Sequence, residues 1–177
     1  RRLRPSGHEP VELARRRRRG LGGGFRRRHG GDHPVQNGAA LAGVVLFFLV
    51  FDPRLVDPGY WIWLMEGDPA TQYLGWRFFR AEPWHWPPGM IRGYGLEVGS
   101  AIVFTDSIPI AAFAAKLLSP FLPEPFQYFG LWALTCFALQ GYFGGMLAAL
   151  ASERPVERYA ITLLFVVTHL ATFKFGP

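Results

Sequence analysis

Residues 126–151 read FQYFGLWALTCFALQGYFGGMLAALA, 26 positions without one charged side chain. As a helix this stretch reaches about 39 Å at ~1.5 Å per residue, longer than the ~30 Å hydrocarbon core of a bilayer. So long an uncharged run sets the class as a membrane protein. Gln140, Gly141, Gly144 and Gly145 within it read as a close-packing face, and Cys136 as a small buried hydrophobe. Outward from this segment lie three further apolar stretches. Residues 38–51 carry no charge but amount to only about 21 Å of helix. Residues 100–118 are apolar apart from Thr105-Asp106-Ser107, Pro109 and Lys116, and residues 159–175 until His169 and Lys174. The expectation is an all-α membrane protein with about four transmembrane helices, at 38–51, 100–118, 126–151 and 159–175. Residues 52–99 then form a long outer loop containing interfacial helices, and 119–125 a tight inner turn.

Composition and charge agree with that class. Half of the 177 residues are hydrophobic and 18% are charged, against roughly 25% in soluble domains. Of the 19 Lys and Arg residues, 11 fall in residues 1–28. The first 36 positions therefore carry +8 and the remaining 141 carry −2. A basic tail on a near-neutral apolar body excludes a uniformly basic nucleic-acid binder, and membrane lipid is the expected partner. Residues 1–37, with Arg15–Arg19, a Gly-rich run and Arg26–Arg28, read as a disordered Arg/Gly-rich cytoplasmic leader, because they hold little to bury. The positive-inside rule then orients residues 38–177, a multi-pass domain in a bacterial inner (plasma) membrane with its N-terminus cytoplasmic. A single cysteine excludes a disulfide framework or a cysteine metal site. No His/Asp/Glu group has metal-ligand spacing, so neither metal nor cofactor is expected. The chain starts with Arg and stops straight after an apolar segment, which reads as a fragment.

Chemistry is expected in residues 52–99. Trp61, Trp63, Trp76, Trp84 and Trp86, five of the six tryptophans, lie there. Trp favours the membrane–water boundary, so an interfacial belt is favoured over an aromatic sugar platform. Gly67-Asp68-Pro69 opens a helical stretch that runs through Glu82. At 100° per residue, Tyr73, Arg77 and Arg80 share one face within about 60°, while Leu74, Phe78 and Ala81 face lipid or neighbouring spans. Two guanidiniums one turn apart, with Arg92 as a further cation, make a clamp for a phosphate. The competing reading gives them lipid headgroups or loop carboxylates such as Glu66 and Glu82. Asp68 before Pro69 is a helix N-cap pattern, and a rigid junction of that kind also suits a catalytic carboxylate. Asp106 either sits within a span facing a polar cavity or at a helix break before Pro109, and in both cases it joins Asp68 at the outer face. His85 between two tryptophans reads as an interfacial polar residue rather than a proton carrier.

GDPATQYLGWRFFR (67–80), PWHWP (83–87), YGLEVGS (94–100), FTDSIP (104–109) and residues 119–132 resemble a family of bacterial polytopic membrane proteins, domain of unknown function 6311. The resemblance covers about 38–150. That family is similar to the amino-terminal part of GT-C glycosyltransferases, multi-pass enzymes that use a lipid-phosphate-linked sugar and carry an acidic residue in the first outer loop. The resemblance implies a polyprenyl-phosphate sugar as substrate. Asp68 is then the catalytic carboxylate with Asp106 as a second candidate, and Tyr73, Arg77, Arg80 and Arg92 contact the substrate. The alternative is a non-enzymatic membrane protein that binds or passes lipid-linked substrates, or a truncated remnant.

Overall fold

The structure, a computed structural model, describes residues 33–96 and 98–175. The expected leader therefore lies outside the described residues up to position 32. Helix α1 spans His33–Val50, starting five residues before the expected boundary at 38. Pro34 fits a first helical turn, whose N–H groups have no intrahelical acceptor. The added turn brings α1 to 18 residues, about 27 Å, and moves the expected boundary from 38 to 33.

Residues 53–81 follow with short 3₁₀ turns at Pro53–Val56 and Ile62–Met65, then helix α2, Pro69–Ala81. Strands β1 (Met90–Ile91) and β2 (Ser100–Ala101) pair antiparallel, Met90 opposite Ala101 and Ile91 opposite Ser100. The fold is thus mostly helical but not purely α. Helix α3 covers Pro109–Leu117, α4 Phe129–Ala151 and α5 Pro155–Phe175. Among the described residues one helix, α4, is long and apolar enough to cross a membrane, and α1 contains a shorter apolar stretch, Gln36–Val50.

Helix α4 lies between α1 and α5, antiparallel to each. Its glycines set the spacing. A Cβ on Gly141 would stand 2.2 Å from the Ala39 carbonyl oxygen, and one on Gly43 of α1 2.1 Å from that of Phe137. The close-packing face expected at Gly141, Gly144 and Gly145 is present, all three being buried. Gln140 donates to the Phe165 carbonyl at 3.2 Å. Gly141→Ala is expected to cost about 1–3 kcal/mol by overpacking, because the obstructing atom is backbone and cannot swing aside. Thermal unfolding in detergent measures it.

The stretch 100–118 is not a continuous span. Its first two residues are strand, Ile102–Phe104 is a 3₁₀ turn, and Asp106 and Ile108 adopt left-handed φ of 49° and 52°. The Thr105 hydroxyl competes with the helix by binding local backbone, and the Ser107 hydroxyl docks the turn on α2. Thr105 bonds the Ile102 carbonyl at 3.0 Å, and Ser107 that of Gln72 at 2.5 Å. This competition is the reason such residues favour caps and turns. What remains, α3, has nine residues, about 14 Å, too short for a ~30 Å core.

Nor does 119–125 sit opposite 52–99. Arg80 donates to the carbonyls of Pro123 at 2.9 Å, Leu122 at 3.0 Å and Ser119 at 3.4 Å. Residues 51–128 therefore form one cap at the end of the bundle where α1 stops and α4 starts. Its core holds Tyr73, Trp76, Phe79, Ile91 and Ile102. Trp76 is wholly buried and donates from Nε1 to the Phe126 carbonyl at 3.0 Å. Gly75 lets the Thr105–Ser107 turn dock on α2, since a Cβ there would meet Thr105 Oγ1 at 2.3 Å. The inward face of α2 is thus Tyr73/Trp76/Phe79. Leu74, Phe78 and Ala81, expected to face lipid or neighbouring spans, lie exposed at the surface.

Candidate functional site

A groove of about 390 Å³ runs along the outer side of α2, lined by Trp61, Met65, Tyr73, Leu74, Arg77, Phe78 and Ala81. The 3₁₀ turn at Ile62–Met65 brings Trp61 and Met65 against the helix, and Trp61 stacks on Tyr73 with ring centroids 5.8 Å apart and planes 11° from parallel. The Tyr73 hydroxyl is buried and has no hydrogen-bond partner among the described residues. Arg77 is the groove's cation. Its Nη2 stands 3.5 Å from a Glu124 carboxylate oxygen, with both side chains about half exposed. A pair this long and this wet contributes no more than ~1 kcal/mol, so an incoming anion displaces the carboxylate readily.

Arg80 is committed elsewhere. Its side chain is 12% exposed, it pairs with Glu124 at 2.9 Å, and it holds three carbonyls of the 119–123 turn. The expected two-guanidinium clamp is therefore split into one surface cation and one brace. Arg80→Ala is expected to lower stability by about 2–3 kcal/mol, as for hydrogen bonds to a charged group. Arg77→Ala stays within ~1 kcal/mol. Chemical denaturation of the two variants side by side checks this.

The chain over residues 40–176 matches the family described as Domain of unknown function (DUF6311). It belongs to that family. No curated protein and no solved structure matches this DUF6311 chain.

The remaining expected site residues of the DUF6311 chain stand outside the groove. Asp68 precedes α2 with helical dihedrals, φ −60° and ψ −36°, and its carboxylate makes no capping bond. An N-cap side chain reaches back to N2 or N3 from an extended backbone, so the cap reading of Asp68 fails while Pro69 still opens the helix. Asp106 is exposed on its left-handed turn rather than set deep in a span. Neither aspartate lines the groove. The side chain of Arg92 is exposed, and its backbone N–H donates to Glu82 Oε2 at 3.2 Å. His85 Nε2 meets Glu82 Oε1 at 3.1 Å, so Glu82 ties the end of α2 to both the hairpin and the Trp84–Trp86 turn.

Lys116 was legible only as a charge within the apolar 100–118 stretch. Instead it is buried in the cap, its Nζ donating to the carbonyls of Phe79 at 2.6 Å and Glu82 at 2.7 Å. The rings of Phe79 and Trp84 lie 4.0 and 4.7 Å from Nζ. A cation there satisfies carbonyls at the C-terminal end of α2 and complements its dipole. Burial pulls the ammonium below the usual lysine range, partly offset by Glu82. Sequence reasoning also missed Glu124 and Met65 as neighbours of the α2 cations, because both arrive from other elements.

Proposed function

We propose that this DUF6311 chain is a multi-pass inner-membrane protein of GT-C glycosyltransferase type that binds a polyprenyl-phosphate sugar in the α2 groove. In this reading α1, α4 and α5 cross the bilayer. The basic leader holds the start of α1 on the cytoplasmic side, and the cap lies on the outer face. The observation that supports it best is the groove itself: apolar Met65, Leu74 and Phe78 beside a single loosely held guanidinium, Arg77. A prenyl phosphate needs an apolar bed and a cation at its edge, and the planar guanidinium suits the phosphate. The unpartnered Tyr73 hydroxyl and the Trp61 face add a donor and a stacking surface for the sugar.

Asp68 supplies the carboxylate, orienting or deprotonating the acceptor hydroxyl, and it is not occupied as a cap. Asp68→Asn should leave stability unchanged and lower transfer from a radiolabelled polyprenyl-phosphate sugar about 100-fold or more, the usual range for acid–base catalysis. Wild-type turnover in that variant removes Asp68 from the chemistry. A second reading is favoured by one observation: among the described residues neither Asp68 nor Asp106 lines the groove. A non-enzymatic carrier of lipid-linked substrates would bind through Arg77 without using Asp68. The two readings separate on paired variants. The enzyme loses turnover in both Asp68→Asn and Arg77→Lys, whereas the carrier loses lipid-phosphate binding only in Arg77→Lys.

A further inference from the structure

A second cavity lies at the other end of the bundle, about 260 Å³ in volume, between α1 and α5 and floored by α4. Its walls are mostly small or apolar, Ala39, Ala42 and Leu46 from α1 and Leu163 and Val166 from α5, with the hydroxyl-bearing Tyr159 and Thr162 of α5 among them. Gly145 of α4 forms the floor, and it approaches α1 so closely that a Cβ would stand 2.9 Å from Ala39 Cβ. Neither Asp68 nor the α2 groove contributes to it.

One charged residue lines this cavity, Arg158 in the first turns of α5. Its Nε donates to the Ser152 carbonyl at 2.7 Å, which fixes the guanidinium beside the cleft. Its acidic neighbour on the helix is taken, since Glu157 pairs with Arg154 at 3.1 Å and accepts from the Ser152 hydroxyl. Arg158 makes no ion pair among the described residues. This end of the bundle is also where α1 begins, Gln36 lying against Gly145. The 11 Lys and Arg of residues 1–28 therefore join the molecule on the same side.

We infer that the α1/α5 cleft binds one anionic phospholipid, an acyl chain lying along the small-residue wall and the phosphate on Arg158. The inference rests on the membrane-spanning reading above and is independent of any glycosyl transfer. The occupant follows from the pairing of features. A largely apolar slot takes a chain, and an Arg at its mouth that makes no ion pair among the described residues takes a phosphate bidentately. A bacterial inner membrane supplies anionic phospholipid, and Lys and Arg close to the surface attract it. A zwitterionic lipid fills the slot equally well but brings its own cation beside Arg158, so it binds more weakly.

The test uses the full chain in nanodiscs made from equal parts of dioleoyl phosphatidylglycerol and dioleoyl phosphatidylcholine. Lipid retained after detergent exchange is counted by native mass spectrometry. About one retained phosphatidylglycerol per chain is expected, at least fivefold over phosphatidylcholine. Arg158→Gln should abolish the preference, and Ala42→Phe, at an exposed wall position, should abolish retention of either lipid. Replacing Arg15–Arg19 with Gln should leave the tightly held lipid in place. No preference in the wild type, or a preference lost in the leader variant and kept in Arg158→Gln, overturns the inference. So does retention of a second copy of the chain in place of lipid. Alkaline carbonate extraction reports separately on the reading beneath it: release of the wild-type chain from membranes defeats the membrane-spanning proposal, whereas a carbonate-resistant chain without bound lipid defeats only the cleft.

Discussion

Trp76→Ala should unfold the cap, with a loss of about 3–5 kcal/mol, the usual range for a fully buried aromatic truncated to alanine. Trp76 belongs to the buried core that holds residues 51–128 together. Its ring meets those of Phe126 and Tyr128 edge-on, with centroids 6.3 and 5.2 Å away. Its Nε1 donates to the Phe126 carbonyl, which joins α2 to the chain entering α4. Trp76→Phe keeps most of the apolar area and loses the donor, so it should cost less, about 1–3 kcal/mol for the carbonyl left unpaired. Near-ultraviolet circular dichroism and chemical denaturation follow both. Equal losses in the two variants would mean that the hydrogen bond, not the packing, dominates.

Gln127→Leu should be nearly as severe although it replaces a polar residue with an apolar one of similar volume. Gln127 is fully buried, and each polar atom of its amide is used. Nε2 donates to the carbonyls of Leu55 at 2.9 Å and Asp57 at 2.7 Å, and Oε1 accepts from the Gly130 N–H at 2.9 Å. The backbone joins in, the Gln127 N–H donating to the Pro58 carbonyl at 2.8 Å. One side chain thus fastens the first turn of α4 to the turn that leaves α1. Leucine strands the buried Gly130 N–H and two part-buried carbonyls, at about 1–3 kcal/mol for a fully buried group, giving a loss of roughly 3 kcal/mol. Gln127→Glu keeps the acceptor for Gly130 but turns an oxygen toward two carbonyls, and should destabilise as well. Thermal melts of both variants decide this, and a stable Gln127→Leu would show that water replaces the amide.

The long helix of the 126–151 segment was legible because its signal is local: an uncharged run has few other uses. The break before Pro109 was also written locally, in Thr105-Asp106-Ser107. Mean hydropathy over 100–118 hid it, since apolar residues that pack under a cap count the same as residues facing lipid. Where the chain went after the break was not legible. Long-range bonds, among them those of Arg80 to residues 119–123 and of Lys116 to the end of α2, bring that turn beside the 52–99 stretch. The candidate site divides the same way. Tyr73 and Arg77 were found by helical spacing and do share the groove. Arg77 and Arg80 look alike in sequence, and they differ because Arg80 alone meets the carbonyls of a distant turn. Asp-Pro suggests a cap at Asp68, but the backbone there is already helical and its carboxylate makes no capping bond.

Cysteine accessibility tests the central claim, that residues 51–128 form one cap on the outer face and that residues 100–118 do not cross the membrane. In a Cys136→Ser background, single cysteines replace Gly59, Phe121 and Arg154, all exposed positions. Intact cells are treated with a membrane-impermeant maleimide. The account predicts labelling at positions 59 and 121 alike, with position 154 reacting only after permeabilisation. Labelling at 59 with protection at 121 would restore a crossing between them and contradict the account.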